Sequence, residues 1–85
     1  MEKLNRFLDS SQRIHTWPSK YTTRQEIAKY LVSHFSEEKI YTEQEVNSLI
    51  DQWHTFGDNQ LLRRWLVEEG FLLRTDDGSN YWKSK

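Results

Sequence analysis

The sequence predicts a mainly α-helical domain that ends in a small β-hairpin, and three observations predict it. Two T-x-x-E boxes, Thr23 to Glu26 and Thr42 to Glu45, each open a run of apolar residues at helical spacing. A third run, Leu61, Leu62, Trp65 and Leu66, lies between Asp58, a good N-cap, and Gly70, a helix stop. Beyond it FLLR and YWK flank TDDGSN, whose Asp77-Gly78 pair is a strong turn signal.

Taken in order, the chain opens with an arm over residues 1–20, closed by Pro18. Leu4, Phe7 and Leu8 have helical spacing, so a turn or two of amphipathic helix is expected before SSQ, with RIHTW extended. Ile27, Tyr30, Leu31 and Phe35 then share one face, which places the first helix over about residues 24–35, with Thr23 and Glu26 as its capping box. EEKIYT is too short for a helix; Ile40 and Tyr41 are expected as a brief extended piece that pairs with a later strand. The second helix follows Thr42, with Val46, Leu49, Ile50, Trp53 and Phe56 within an arc of about 120°. Gly57 suits a left-handed helix end, and with Asp58 as the next cap the connection to the third helix is about three residues long.

Helix, extended piece, helix, tight turn, helix, hairpin is the order of a winged helix-turn-helix. The predicted architecture is therefore three helices plus a C-terminal wing, with an N-terminal arm. It is one domain, 1–85, divided into the arm, a core with the first wing strand over 21–74, and the wing turn with the second strand over 75–85. A plain three-helix bundle would leave Phe71, Leu73, Tyr81 and Trp82 in water, which disfavours it.

With 85 residues, the domain buries only about 60 to 65% of its unfolded surface, so its core must rest on large side chains. Four Trp, four Tyr and four Phe supply them. There is no Cys, hence no disulfide framework and no thiolate metal site, which suits a reducing compartment. No run resembles a signal peptide or approaches the ~18 apolar residues of a membrane span, so a cytoplasmic location is the expectation.

The net charge of −1 gives no chain-wide attraction to nucleic acid. Residues 1–20 carry four basic and two acidic side chains, whereas residues 42–58 carry Glu43, Glu45, Asp51 and Asp58 with no Lys or Arg. On the third helix, with Leu61 and Leu62 inward, Gln60, Arg63, Arg64 and Val67 are expected outward. Gln and Arg are the residue types that pair bidentately with adenine and guanine in the major groove. The alternative is an Arg64–Glu68 ion pair on a solvated face. Asp76 and Asp77 at the wing tip, and the acids of the second helix, oppose a phosphate backbone.

Enzymatic chemistry finds little support. His15, His34 and His54 have no metal-ligand spacing; His34 is expected as a hydrogen-bonded core or boundary residue and His54 at the edge of the second helix. No nucleophile or phosphate-binding motif accompanies them, so no cofactor, metal or catalytic residue is expected. Trp53 and Trp65 occupy apolar stripes and are expected in the core, whereas Trp17 and Trp82, if exposed, would anchor another protein.

IYTEQEVNSLI from Ile40, DNQLLRRWLVEEGFLLR from Asp58 and NYWK from Asn80, with WPSK and HTFGD, together resemble the bacterial family called domain of unknown function 2087 over nearly the whole chain. One departure is SSQRI, where a glycine is expected before Arg13. The resemblance implies a winged-helix-like domain found alone or attached to helix-turn-helix regulators and occasionally to acyltransferase-type domains, with no established activity. It implies functional candidacy for Arg63 and Arg64, a capping role for Glu45, and a role for Asn47 in tying the turn to a neighbouring segment.

The leading expectation is a non-catalytic regulatory module contacting DNA through Gln60, Arg63 and Arg64, helped by Lys20 and Arg24. The alternative on the same scaffold is a protein-interaction or dimerisation module that uses the Arg pair against acidic partners, or Trp17 and Trp82 as anchors.

Overall fold

Tertiary contacts rather than the expected Thr23 cap set the start of the first long helix. The computed structural model describes residues 2–84 of the chain, with side chains from residue 4 onward. Its elements are α1 (Glu2–Asn5), α2 (Tyr21–Val32), α3 (Glu43–Gln52), α4 (Asn59–Glu68), β1 (Leu72–Arg74) and β2 (Tyr81–Lys83). They form a winged-helix-like domain, mainly helical with one small sheet. Met1 and Lys85, the ends of the expected unit 1–85, lie outside the described residues.

Lys20 stands at the N-cap of α2 with no side-chain cap bond, so Thr23 falls inside the helix and the Thr23–Glu26 box does not form. The first turn is held from outside instead. The Tyr21 ring lies 5.8 Å from that of Trp65, and its hydroxyl donates to Glu69 Oε1. Arg24 Nε donates to the Pro18 carbonyl while its guanidinium sits 5.0 Å above the Trp17 ring. At the other end the helix stops at Val32, and Phe35 is buried from a turn in which its amide donates to the Val32 carbonyl.

α3 begins as the local sequence dictates. Thr42 accepts from the Glu45 amide and the Glu45 carboxylate accepts from the Thr42 amide, satisfying two orphan donors reciprocally. Its end departs from expectation. The helix stops at Gln52 rather than near Phe56, and the connection to α4 runs from Trp53 to Asp58.

His54 is the physical reason. It is buried in the core, not at an edge, and its Nε2 accepts the Asp58 amide at 3.0 Å. The proton therefore resides on Nδ1, which donates to the Ile50 carbonyl at 2.8 Å. The arm completes this junction: the Ile14 amide donates to the Trp53 carbonyl at 2.7 Å, and the Thr55 amide donates to the Ile14 carbonyl at 2.9 Å. Arg13 Nη2 adds a bond of 2.9 Å to the His54 carbonyl. Gly57 is left-handed at φ 67°, as expected, and Asp58 caps α4 by accepting the Leu61 amide.

Ile27 and Leu31 from α2, Val46 and Ile50 from α3, and Leu62 and Leu66 from α4 form one core with Ile14 and Leu72. At the C-terminal end β1 and β2 pair antiparallel, with Leu73 opposite Trp82 and Arg74 opposite Tyr81. Tyr41 pairs with Tyr81 on the far side of β2 through two backbone bonds of 2.7 Å, so the expected extended piece forms a third, one-residue strand. Tyr81 is buried and Phe71 packs against the core, as the winged arrangement requires. Leu73, also expected to be covered by the wing, stays 44% exposed on its outer side.

Within the arm, Leu8 bridges to Ile14 across a tight loop organised by Asp9, whose carboxylate accepts the Ser11 and Arg13 amides and is held below its ordinary pKa chiefly by the Arg13 bond. Gln12 occupies the position before Arg13 with φ 65°, in the left-handed region where a side chain is disfavoured. Glycine fits that backbone without strain. Gln12→Gly is expected to raise unfolding free energy by about 0.5–1 kcal/mol in denaturant titration; a loss of stability would mean that the Gln12 side chain itself supports the loop.

Candidate functional site

Leu62 and Leu66 point into the core, which orients α4 and decides what its remaining positions face. At 100° per residue, Leu61 and Arg63 lie on opposite flanks of Leu62. Only one flank can lie against α3. The structure assigns it to Arg63, which corrects the expected face. Leu61 is 37% exposed, whereas the Arg63 side chain retains only 15% exposure, lying between α4 and α3. Arg63 Nη1 donates to Asn47 Oδ1, and Nη2 lies 3.9 Å from Glu43 Oε1. Val67, also expected outward, is half-buried against the core. Gln60 and Arg64 do point to solvent, one turn apart.

Beside this flank a groove of about 350 Å³ separates α4 from the wing. Arg63, Arg64 and Val67 form its α4 wall with Glu68, Arg74 and Tyr81 form the wing wall, and Glu43 closes it from α3. The Tyr81 hydroxyl lies 3.4 Å from Glu43 Oε1. Arg74 and Glu43 contribute here although neither was expected as a site residue. The signal for Arg74 was its place at the end of FLLR, one register step from the turn, opposite Tyr81.

The wing tip is built around Asp77. Its Oδ1 accepts the Thr75 hydroxyl at 2.7 Å, the Ser79 hydroxyl at 2.7 Å and the Ser79 amide at 3.0 Å. The Ser79 and Thr75 bonds lower its pKa to about 2, so it is a fixed anion at neutral pH. Gly78 completes the turn at φ 73°, and a Cβ there would stand 3.2 Å from Arg74 Nη1, so the turn lies close over the Arg74 guanidinium. Asp76 is exposed beside it.

The remaining expected site residues do not join this groove. Arg24 is engaged with Pro18 and Trp17, and the Trp17 ring meets Trp65 edge-on at 5.5 Å. Trp17 is thus half-buried packing rather than a free anchor. Lys20 is exposed and lines a separate hollow of about 240 Å³ with Arg6, Phe7 and Thr23. Because Tyr21 and Trp17 dock on Trp65, this end of α2 lies on the flank of α4 opposite Arg63.

Trp82 is half-buried too, but on the sheet rather than against α4. Leu73 faces it directly, and the Tyr41–Tyr81 pairing carries Ile40 to its other side. Since Tyr41 and Tyr81 point inward, alternation puts Ile40, Trp82 and Leu73 in one row on the outer face of the sheet. Ile40 is 63% exposed.

His34 sits at the boundary, stacked on Trp53 with centroids 3.6 Å apart, and burial lowers its pKa. Its Nε2 has no hydrogen-bond partner among the described residues, contrary to the expected hydrogen-bonded histidine. Among the described residues no group of three or more His, Asp or Glu side chains is arranged to hold a metal, and no helix is long and apolar enough to cross a membrane.

The element order, the left-handed junction before α4 and the two-stranded wing, extended by the Tyr41 bridge, define a winged-helix-like domain. The chain belongs to the bacterial family called domain of unknown function 2087, described as an uncharacterized protein conserved in bacteria, whose model matches residues 13–83. No curated protein and no solved structure matches the chain.

The position of Arg63 makes it a strut between helices. Arg63→Ala and Asn47→Ala should each lower stability, and in a double-mutant cycle their coupling should be about 1 kcal/mol or more. Additive effects would show that the two side chains do not act together.

Proposed function

We propose that this domain is a non-catalytic interaction module that engages another protein through its winged end. The observation that carries the proposal is the inward commitment of Arg63. A reading helix needs its guanidinium groups free for base edges and phosphates, and here one of the central pair bridges α3 and α4. What remains at the winged end is of mixed sign. Arg64 and Arg74 stand among Glu43 and Glu68, with Asp76 and Asp77 at the wing tip. Duplex DNA presents one negative charge per about 1.7 Å of axis and favours a continuous positive face.

The outer face of the same hairpin supports a protein partner. Ile40, Trp82 and Leu73 form an apolar row in which Ile40 and Leu73 are exposed and Trp82 is half-buried between them, and an aromatic flanked by aliphatic side chains is the composition of an interface centre. A second reading, a transcription regulator touching DNA, is favoured by one observation: Gln60 and Arg64 are exposed one turn apart on α4. Lys20 and Arg24 lend it little, since they lie across the helix and Arg24 is already engaged.

Two measurements separate these readings. A photo-crosslinking residue at position 73, introduced in the bacterial host, should give a discrete adduct that a probe at exposed Ser33 does not give and that Ile40→Ser removes. Equal labelling from both positions would count against the interaction module. In parallel, anisotropy with a random duplex should show weak binding that is indifferent to Arg64→Ala; affinity falling steeply with salt and lost in Gln60→Ala or Arg64→Ala would establish the DNA reading instead.

A further inference from the structure

The groove between α4 and the wing holds two guanidinium groups that form no ion pair or hydrogen bond among the described residues. Three ion pairs are formed among the described residues: Lys29 with Glu26, Lys39 with Glu45, and Arg63 with Glu43. Arg64 and Arg74 belong to none of them. Glu68 is one turn from Arg64, in the weaker Arg-before-Glu order, and does not close to ion-pair distance. Arg63 serves as the floor, its charge met by Glu43 and its orientation fixed by Asn47.

From these facts we infer that the groove is a carboxylate-binding site, taking an acidic side chain from a short segment of a partner protein, with Arg64 and Arg74 as its two forks. Each guanidinium presents paired N–H donors matched to the two oxygens of a carboxylate, and the two line the same groove from different elements, α4 and β1. Val67 gives the α4 wall some apolar surface for the residue next to the acid, while Tyr81, itself buried, backs the wing wall. The rim selects against a polyphosphate. Glu68 and Glu43 line the groove beside the arginines, and Asp77 at the wing tip adds a further anion in the turn that follows Arg74, so a chain of phosphates would meet repulsion. A segment with one central acid, an apolar neighbour and flanking Lys or Arg has the inverse pattern and complements the groove at every point.

The inference rests on the interaction reading, and the experiment separates the two. The probes are a capped heptapeptide, Lys-Ala-Val-Glu-Val-Ala-Lys, its Glu→Gln counterpart, inorganic phosphate and a 20-base-pair duplex. The readout is the Nε–Hε resonances of Arg64 and Arg74 in the whole chain. The Glu peptide should shift both resonances, with the Gln peptide and the Arg74→Gln variant each binding about tenfold more weakly or worse. Arg74→Lys, which keeps the charge and the hairpin but not the fork, should fall between. Equal shifts from the Glu and Gln peptides, or binding unchanged in Arg74→Gln, would overturn the carboxylate site while leaving the apolar row and the interaction reading intact. Displacement of the peptide by the duplex would overturn both, and saturation by phosphate alone would show an unselective anion site.

Discussion

The junction between α3 and α4 hangs on a buried imidazole. His54 accepts the amide that starts the next helix and donates to a carbonyl of the last one, so a single neutral side chain satisfies backbone groups on either side of the turn. Around it the arm contributes Ile14 and Arg13, which bond to the backbone of Trp53, His54 and Thr55. The connection is thereby fixed from three directions, and so is the way α4 crosses α3. That crossing puts Arg63 over Asn47 and Glu43. Had α4 rolled the other way, Leu61 would be covered and Arg63 would face solvent.

Function at the winged end follows from this geometry. One arginine becomes part of the frame, leaving Arg64 and Arg74 to line a groove shared with Glu43 and Glu68. The hairpin then has two distinct faces. Arg74 and Tyr81 look into the groove, while Leu73 and Trp82, continued by Ile40, look outward. An electrostatic face and an apolar face back to back on one short hairpin offer two kinds of contact to a protein, and only the first has any use for a phosphate backbone.

What the sequence revealed was what is determined locally. The Thr42 and Glu45 box, the Asp58 cap and the Asp77-Gly78 turn all form where the residues alone place them, because each satisfies its own backbone within a few positions, whereas Gly57 is left-handed as expected but lies beyond the end of α3 at Gln52. Features set by distant contacts were not legible. Thr23 and Glu26 have the same spacing as the working box, yet Tyr21, held by Trp65 and Glu69, begins the helix earlier. The burial of His54 depends on an arm forty residues upstream. Leu61 and Arg63 are equivalent by helical arithmetic, and only the packing of α4 against α3 distinguishes them. The family pattern carried part of what periodicity lacked. It marked Asn47 as tying the turn to a neighbouring segment, where the structure has it join α3 to Arg63 of α4 instead, and it expected a glycine where Gln12 adopts a left-handed backbone.

The most direct test is the mobility of the two neighbouring arginines, read from the ¹⁵N relaxation of their side-chain Nε–Hε groups. A strut between helices must be rigid and a groove-lining fork without a ligand must not be. Arg63 should relax with order close to that of the backbone, with slowed guanidinium rotation, while Arg64 averages freely on the nanosecond scale. If Arg63 proves as mobile as Arg64, the α3–α4 bridge is not held in solution, both arginines are available to a nucleic acid, and the assignment of the winged end to a protein partner loses its foundation.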